Sequence, residues 1–130
     1  GKLQRIQNIA ARIVQRARHH EPITPILSAL HWLPIDKRIK FKILLLTFKA
    51  LNGTAPAYIS ELLHKYTPTR TLRSQHQQLL QAPRFHTQHY GYRTFSVTAP
   101  ILWNKLPAHI RQHTTMDSFK SSLKTHLFLT

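Results

Sequence analysis

Between His31 and Gly53 the chain reads HWLPIDKRIKFKILLLTFKALNG, and this segment constrains the fold more than any other. Projected at about 100° per residue, Ile39, Phe41, Ile43, Leu44, Leu46, Phe48 and Leu51 cover most of a helix circumference. A helix that is apolar on nearly every side has to be surrounded by other elements, so it is expected at the centre of the core. Its limits are legible. Pro34 suits a first helical turn, Asp36 complements the N-terminal dipole, and Asn52-Gly53 supplies a stop. The polar side is narrow and is lined by Arg38, Lys42 and Lys49, which makes a basic stripe on a central strut. The longest apolar run, Ile43 to Phe48, is bracketed by Lys42 and Lys49 and is too short for a membrane span.

The other segments read as shorter elements around this strut. Leu3, Ile6, Ala10, Ile13, Val14 and Ala17 recur at helical spacing, while Arg5, Arg12 and Arg16 fall together on another side, giving a basic amphipathic helix. Thr24 and Pro25 open a short helix through ILSAL, and Pro56 restarts another through AYISELLHKY. TPTRTLRSQHQ loses periodicity and reads as a loop. QQLLQAPRFHT and YGYRTFSV, around the turn-capable Gly91, read as a hairpin or two extended strands. FSVTAPILWNKLP, Phe95 to Pro107, reads as a short helix between Pro100 and Pro107 that clamps onto the core through Trp103. From Asp117 a last helix puts Met116, Phe119, Leu123 and Leu127 on one face, with Lys120 and Lys124 beside it.

Charge separates the possible partners. Lys and Arg total 19 against 4 acidic residues, a formal net charge of +15, while the hydrophobic share of 42% is that of a folded chain. Such a surface attracts polyanions, of which nucleic acid is the commonest, ahead of acidic proteins and anionic membranes. Paired-carboxylate chemistry has only Glu21, Asp36, Glu61 and Asp117 to draw on, and Asp36 and Asp117 are placed to cap or complement helix starts. There is no cysteine, and His109 with His113, or His86 with His89, lacks the further ligands of a zinc site, so no metal or other cofactor is expected. Three glycines and no GxSxG stretch leave neither a phosphate-cradling loop nor a nucleophile elbow. What remains is basic residues interleaved with aromatics: Lys65, Tyr66, Arg70, Arg73, Arg84, Phe85, Tyr90, Tyr92 and Arg93. Arginine and lysine engage phosphates and exposed aromatics stack on unpaired bases, unless these aromatics are instead spent on the core.

Taken together, LQRIQNIAARIV, ITPILSALHWLPIDKRIKFKILLLTFKALNGTAPAYISELL, YGYRTFSVTAPILWNKLP and SFKSSLKTHLF resemble the C-terminal tail of LINE-type (non-LTR) retrotransposon reverse transcriptases of the jockey, CR1 and L2-like branch. The resemblance covers nearly the whole chain. It implies a position after the fingers, palm and thumb of an RNA-directed DNA polymerase, with those upstream domains as partners and an intracellular setting, nuclear and cytoplasmic. The palm aspartates and the endonuclease residues are absent from the segment, so the resemblance carries over no catalytic residue. One departure stands out, since Tyr92 occupies a place in YGxRxFS where the family usually has an acid.

The expectation is therefore a mainly α, small single domain over residues 1–130, with a minor extended or hairpin element. Its helical part would span 1–66, a loop and extended part 67–96, and C-terminal helices 97–130. It would bind RNA, target DNA or their hybrid without catalysis, and would not insert in a membrane. Arg5, Arg12, Arg16, Arg38, Lys42, Lys49, Arg70, Arg73, Arg84 and Arg93 are the candidate phosphate ligands. The alternatives are a structural or protein-interaction tail that braces the polymerase thumb, or a non-functional retrotransposon remnant. Entry at Gly1 directly on a helical pattern is read as a segment of a longer polypeptide.

Overall fold

The computed structural model describes residues 1–71, 73, 78–82 and 94–130. Its architecture is mainly helical, built around α3 (Ile35–Leu51). Pro34 stands at the N-cap, Asp36 lies in the first turn and Lys49 in the last. The chain leaves α3 through a Schellman turn: Thr54 N–H reaches the Lys49 carbonyl at 2.9 Å, and Gly53 takes φ +72, which costs glycine nothing.

α3 is packed by α5 (Phe95–Lys105) and α7 (Met116–Leu129), with the one-turn α4 (Ala57–Ser60) against it as well. Burial is heaviest in the second half of α3, where Leu44, Thr47, Phe48 and Ala50 are enclosed. Ile39, expected inside, is exposed instead, so the strut is less completely surrounded near its N-terminal end than its sequence implied. Three aromatic rings fix the middle of the core. Phe48 and Phe119 stack with centroids 4.2 Å apart, and Trp103 tilts against Phe119 at 5.8 Å. Thr47, also on α3, is fully buried, and its hydroxyl donates to the Ile43 carbonyl at 2.8 Å, so that polar atom is not stranded.

The stretch FSVTAPILWNKLP is a core clamp, as expected, but its helix starts five residues earlier than the prolines suggested. α5 runs from Phe95, with Pro100 inside it, where the missing N–H forgoes one helical bond. Trp103 is 1% exposed, and its indole N–H donates to the Gln78 carbonyl at 2.9 Å. The following one-turn α6 (Ala108–Arg111) contributes Arg111, which is 5% exposed and donates from Nη1 to the carbonyls of Asn104 and Leu106 at the end of α5. A cation at a helix C-terminus complements the dipole, which offsets its desolvation. Burial lowers the pKa of this guanidinium from its ordinary value.

The N-terminal helix α1 (Lys2–Gln15) is seated the opposite way from an ordinary amphipathic helix. Leu3, Ile6, Ile9, Ile13 and Val14 are 59 to 71% exposed, while Gln7 and Ala11 are buried. The contact is made by amides. Gln7 Nε2 donates to the Leu33 carbonyl at 2.8 Å, and the Ile35 N–H donates to Gln4 Oε1 at 2.8 Å. Pro34 offers no side-chain cap to α3, so Gln4 supplies from α1 the acceptor that the first turn of α3 lacks. Gln4 in turn donates to Gln7 Oε1 and Asn8 Oδ1, both at 2.8 Å, which holds the amides in register. α2 (Ile23–Ala29) closes a small second cluster, with Ile26 and Leu27 against Ala11 and with Ala17, Ile23, Leu30 and Trp32 around them.

Several boundaries differ from the sequence expectation. α2 begins at Ile23 behind an N-cap at Pro22, without a capping bond from Thr24. α4 stops at Ser60, well short of Tyr66, and the chain beyond it makes an isolated antiparallel bridge from Lys65 to Leu80. Among the described residues there is no strand; most of the expected hairpin, including Arg84, Tyr90, Gly91, Tyr92 and Arg93, lies outside them.

Candidate nucleic-acid interface

Arg38, Phe41 and Lys42 fall at i, i+3 and i+4 on α3 and so share one face. That face forms one wall of an open groove of about 560 Å³, which runs along the seam between the α1–α2 cluster and the main core. Gln7 of α1, His31, Trp32 and Leu33 of the turn after α2, and Lys124 of α7 complete the lining. Three cations and two aromatic side chains thus line one groove, and none of its lining residues is acidic.

Local backbone chemistry sets the aromatic wall. α2 ends in a Schellman motif in which His31 N–H reaches the Ser28 carbonyl at 3.0 Å and Trp32 N–H reaches the Leu27 carbonyl at 2.9 Å. The turn requires a left-handed residue, and His31 takes that place with φ 55 where glycine is the usual occupant. The motif's customary apolar contact is made within the small cluster that holds Leu27 and Trp32. Trp32 is therefore fixed from behind while it lines the groove in front.

The cations of the groove are uncommitted. Among the described residues no hydrogen bond or ion pair engages the side chains of Arg38, Lys42 or Lys124. Arg38 and Lys42 are exposed, and Lys124 is half-buried. With no carboxylate to neutralise them, their fields add over the groove.

The structure brings together only part of the expected set. Arg38 and Lys42 share the groove. Lys49 continues the same stripe of α3 about 10 Å further along the axis, at 1.5 Å per residue, and does not line it. Arg5 and Arg12 lie on α1 roughly 140–160° around the axis from Gln7, the α1 residue that lines the groove, and Arg16 is the left-handed C-cap beyond the helix, so none of the three lines the groove. Arg12 is partly spent, since its Nη2 donates to the Glu21 carbonyl at 3.3 Å. Arg70 and Arg73 are exposed in the irregular segment after α4 and line neither cavity. Arg84 and Arg93 lie outside the described residues.

Lys124 and Trp32 are the additions. The i, i+4 placement of Lys120 and Lys124 beside the Phe119–Leu123–Leu127 face was the available signal for the first, and nothing in the sequence marked the second. A further cavity of about 510 Å³ is lined by Lys65, Tyr66, Trp103, Arg111 and His113, but Trp103 and Arg111 already serve core hydrogen bonds there. His113 lies past the end of α6, so His109 and His113 do not share a helical face. Among the described residues no group of three or more His, Cys, Asp or Glu is set to hold a metal, and no helix is long and apolar enough to cross a membrane.

No protein-family model, curated protein or solved structure matches the chain.

Proposed function

We propose that this chain is a non-catalytic nucleic-acid-binding segment, the post-thumb tail of a LINE-type RNA-directed DNA polymerase, and that it takes hold of phosphate in the groove lined by α1, the turn after α2, α3 and α7. The observation that carries this reading is the convergence of Arg38, Lys42 and Lys124 from two helices on one open groove without an acidic neighbour. Phosphate contacts of this kind fix position and supply affinity without reading base sequence. RNA, target DNA and their hybrid all present the same backbone charge, and the element's cycle would bring the segment to each of them in cytoplasm and nucleus. Filter binding over a salt series tests the reading. Loss of three phosphate contacts in the combined Arg38→Ala, Lys42→Ala, Lys124→Ala protein should flatten the slope of log K against log salt by about 2.7 on duplex DNA. An unchanged slope would remove the groove from the function.

A specific observation favours a second reading, that of a bracing or protein-interaction segment. The exposed aliphatic face of α1, from Leu3 to Val14, is the kind of surface that upstream polymerase domains would cover.

A further inference from the structure

We propose that the groove accepts an unpaired nucleotide, with the base against Trp32 and the adjoining phosphates on Arg38, Lys42 and Lys124, so that the domain prefers single-stranded nucleic acid to duplex. This rests on the nucleic-acid reading and sharpens it. The two tryptophans of the chain are treated differently. Trp103 is 1% exposed and its indole N–H is bonded to Gln78. Trp32 is half-buried, lines the groove, and its indole N–H makes no hydrogen bond among the described residues. Trp103 is therefore spent on the core, whereas part of the Trp32 side chain stays accessible from the groove. Here a partly exposed aromatic side chain lines the same groove as three uncommitted cations.

Size and shape select the ligand class. At about 560 Å³ the groove falls within the range of small-ligand pockets, roughly 300–1,000 Å³. One nucleotide unit fits such a space. A duplex keeps its bases stacked inside and can offer the groove only its backbone, so it would use the cations and leave Trp32 idle. A single strand can use both, which is the combination found in proteins that track unpaired strands through stacking and charge together. Phe41 lines the same groove and adds a second apolar surface for the base.

The test compares a short labelled oligothymidylate with a duplex of equal length, by fluorescence anisotropy on the whole chain at one salt concentration. Wild type should bind the single strand more tightly. Trp32→Ala should weaken single-strand binding by about 5- to 150-fold, the worth of one stacked base, and leave duplex binding unchanged. Trp32→Phe, which keeps an aromatic face, should retain most of the affinity, and it guards against misfolding of the alanine variant. Oligothymidylate should quench tryptophan emission in wild type and leave it unchanged in Trp32→Phe, because Trp103 is enclosed. If the combined Arg38, Lys42 and Lys124 variant loses both ligands while both Trp32 variants behave as wild type, the phosphate reading stands and this inference is overturned. If the combined variant binds both ligands normally, the phosphate reading itself fails.

Discussion

The side-chain amide of Asn104 hydrogen-bonds the backbone of Leu80 in both directions, Nδ2 donating to the carbonyl at 2.8 Å and the Leu80 N–H donating to Oδ1 at 2.9 Å. One side chain thereby serves as the partner that a neighbouring strand would otherwise provide. Leu80 itself is buried in the main core, so neither of its backbone groups is readily given to water. Asn104→Ala should lower the unfolding free energy by about 1–3 kcal/mol, the usual cost of leaving buried polar groups unpaired. Urea denaturation checks this, and hydrogen exchange at the Leu80 amide should accelerate in the same variant. Unchanged stability and unchanged exchange would show that the segment is held by something else.

Trp103 gives the second prediction. It combines a nearly complete burial with the bond to Gln78 and the contact with Phe119, so Trp103→Ala should cost about 3–5 kcal/mol. In a protein of ordinary stability that is enough to populate the unfolded chain. Trp103→Phe should cost less, since much of the ring volume is kept. If Trp103→Ala melted at the wild-type temperature yet lost nucleic-acid binding, the clamp assignment would be wrong.

The seating of α1 yields a prediction that runs against pattern reading. Its aliphatic side chains point away from the domain, so Ile6→Gln and Ile13→Gln should each change stability by no more than about 0.5 kcal/mol, as at ordinary surface sites. Gln7→Leu, which looks harmless on a hydropathy plot, should destabilise by about 1–3 kcal/mol, because it leaves the Leu33 carbonyl without its donor. Thermal melts of the three variants decide the matter. The opposite ranking would mean that the apolar face of α1 is the buried one.

These cases show where the sequence was informative. Periodicity found α3 and α7 because their apolar residues pack inward, and Trp103 was readable as an anchor because its neighbours Ile101, Leu102 and Leu106 could not all face water. The same logic finds the helix of α1 but points to the wrong contact face, because Gln4, Gln7 and Ala11 make the contact while five aliphatic side chains stay exposed. A side-chain cap supplied to α3 from Gln4, 31 positions before the Ile35 donor, leaves no local signature. Pro100 marks no helix boundary in α5, because a helix can carry a proline at the loss of a single bond, and no local signal in the sequence distinguishes the two cases. Of the candidate site, the Arg38 and Lys42 pair was legible from its i, i+4 spacing. The third cation and the aromatic wall came from α7 and from the turn after α2, which only the tertiary fold brings to α3.

Lys42 and Lys49 supply the last prediction, since spacing alone treats them as equivalent. Both belong to the polar stripe of α3, but Lys42 is exposed in the groove while Lys49 is half-buried in the final turn. A cation in that turn faces the negative end of the helix dipole, an interaction typically worth 0.3–1 kcal/mol. Lys49→Ala should therefore lose about that much stability and leave the salt dependence of binding near its wild-type slope. Lys42→Ala should do the reverse, with stability nearly unchanged and the slope flattened by about 1, as for the loss of one phosphate contact. Paired measurements on each variant, a melt and a binding isotherm over a salt series, separate the two roles. If Lys49→Ala flattened the slope as much as Lys42→Ala, the bound strand would have to extend past the groove along the whole of α3, and the phosphate-binding surface would be a stripe along the helix and not a pocket.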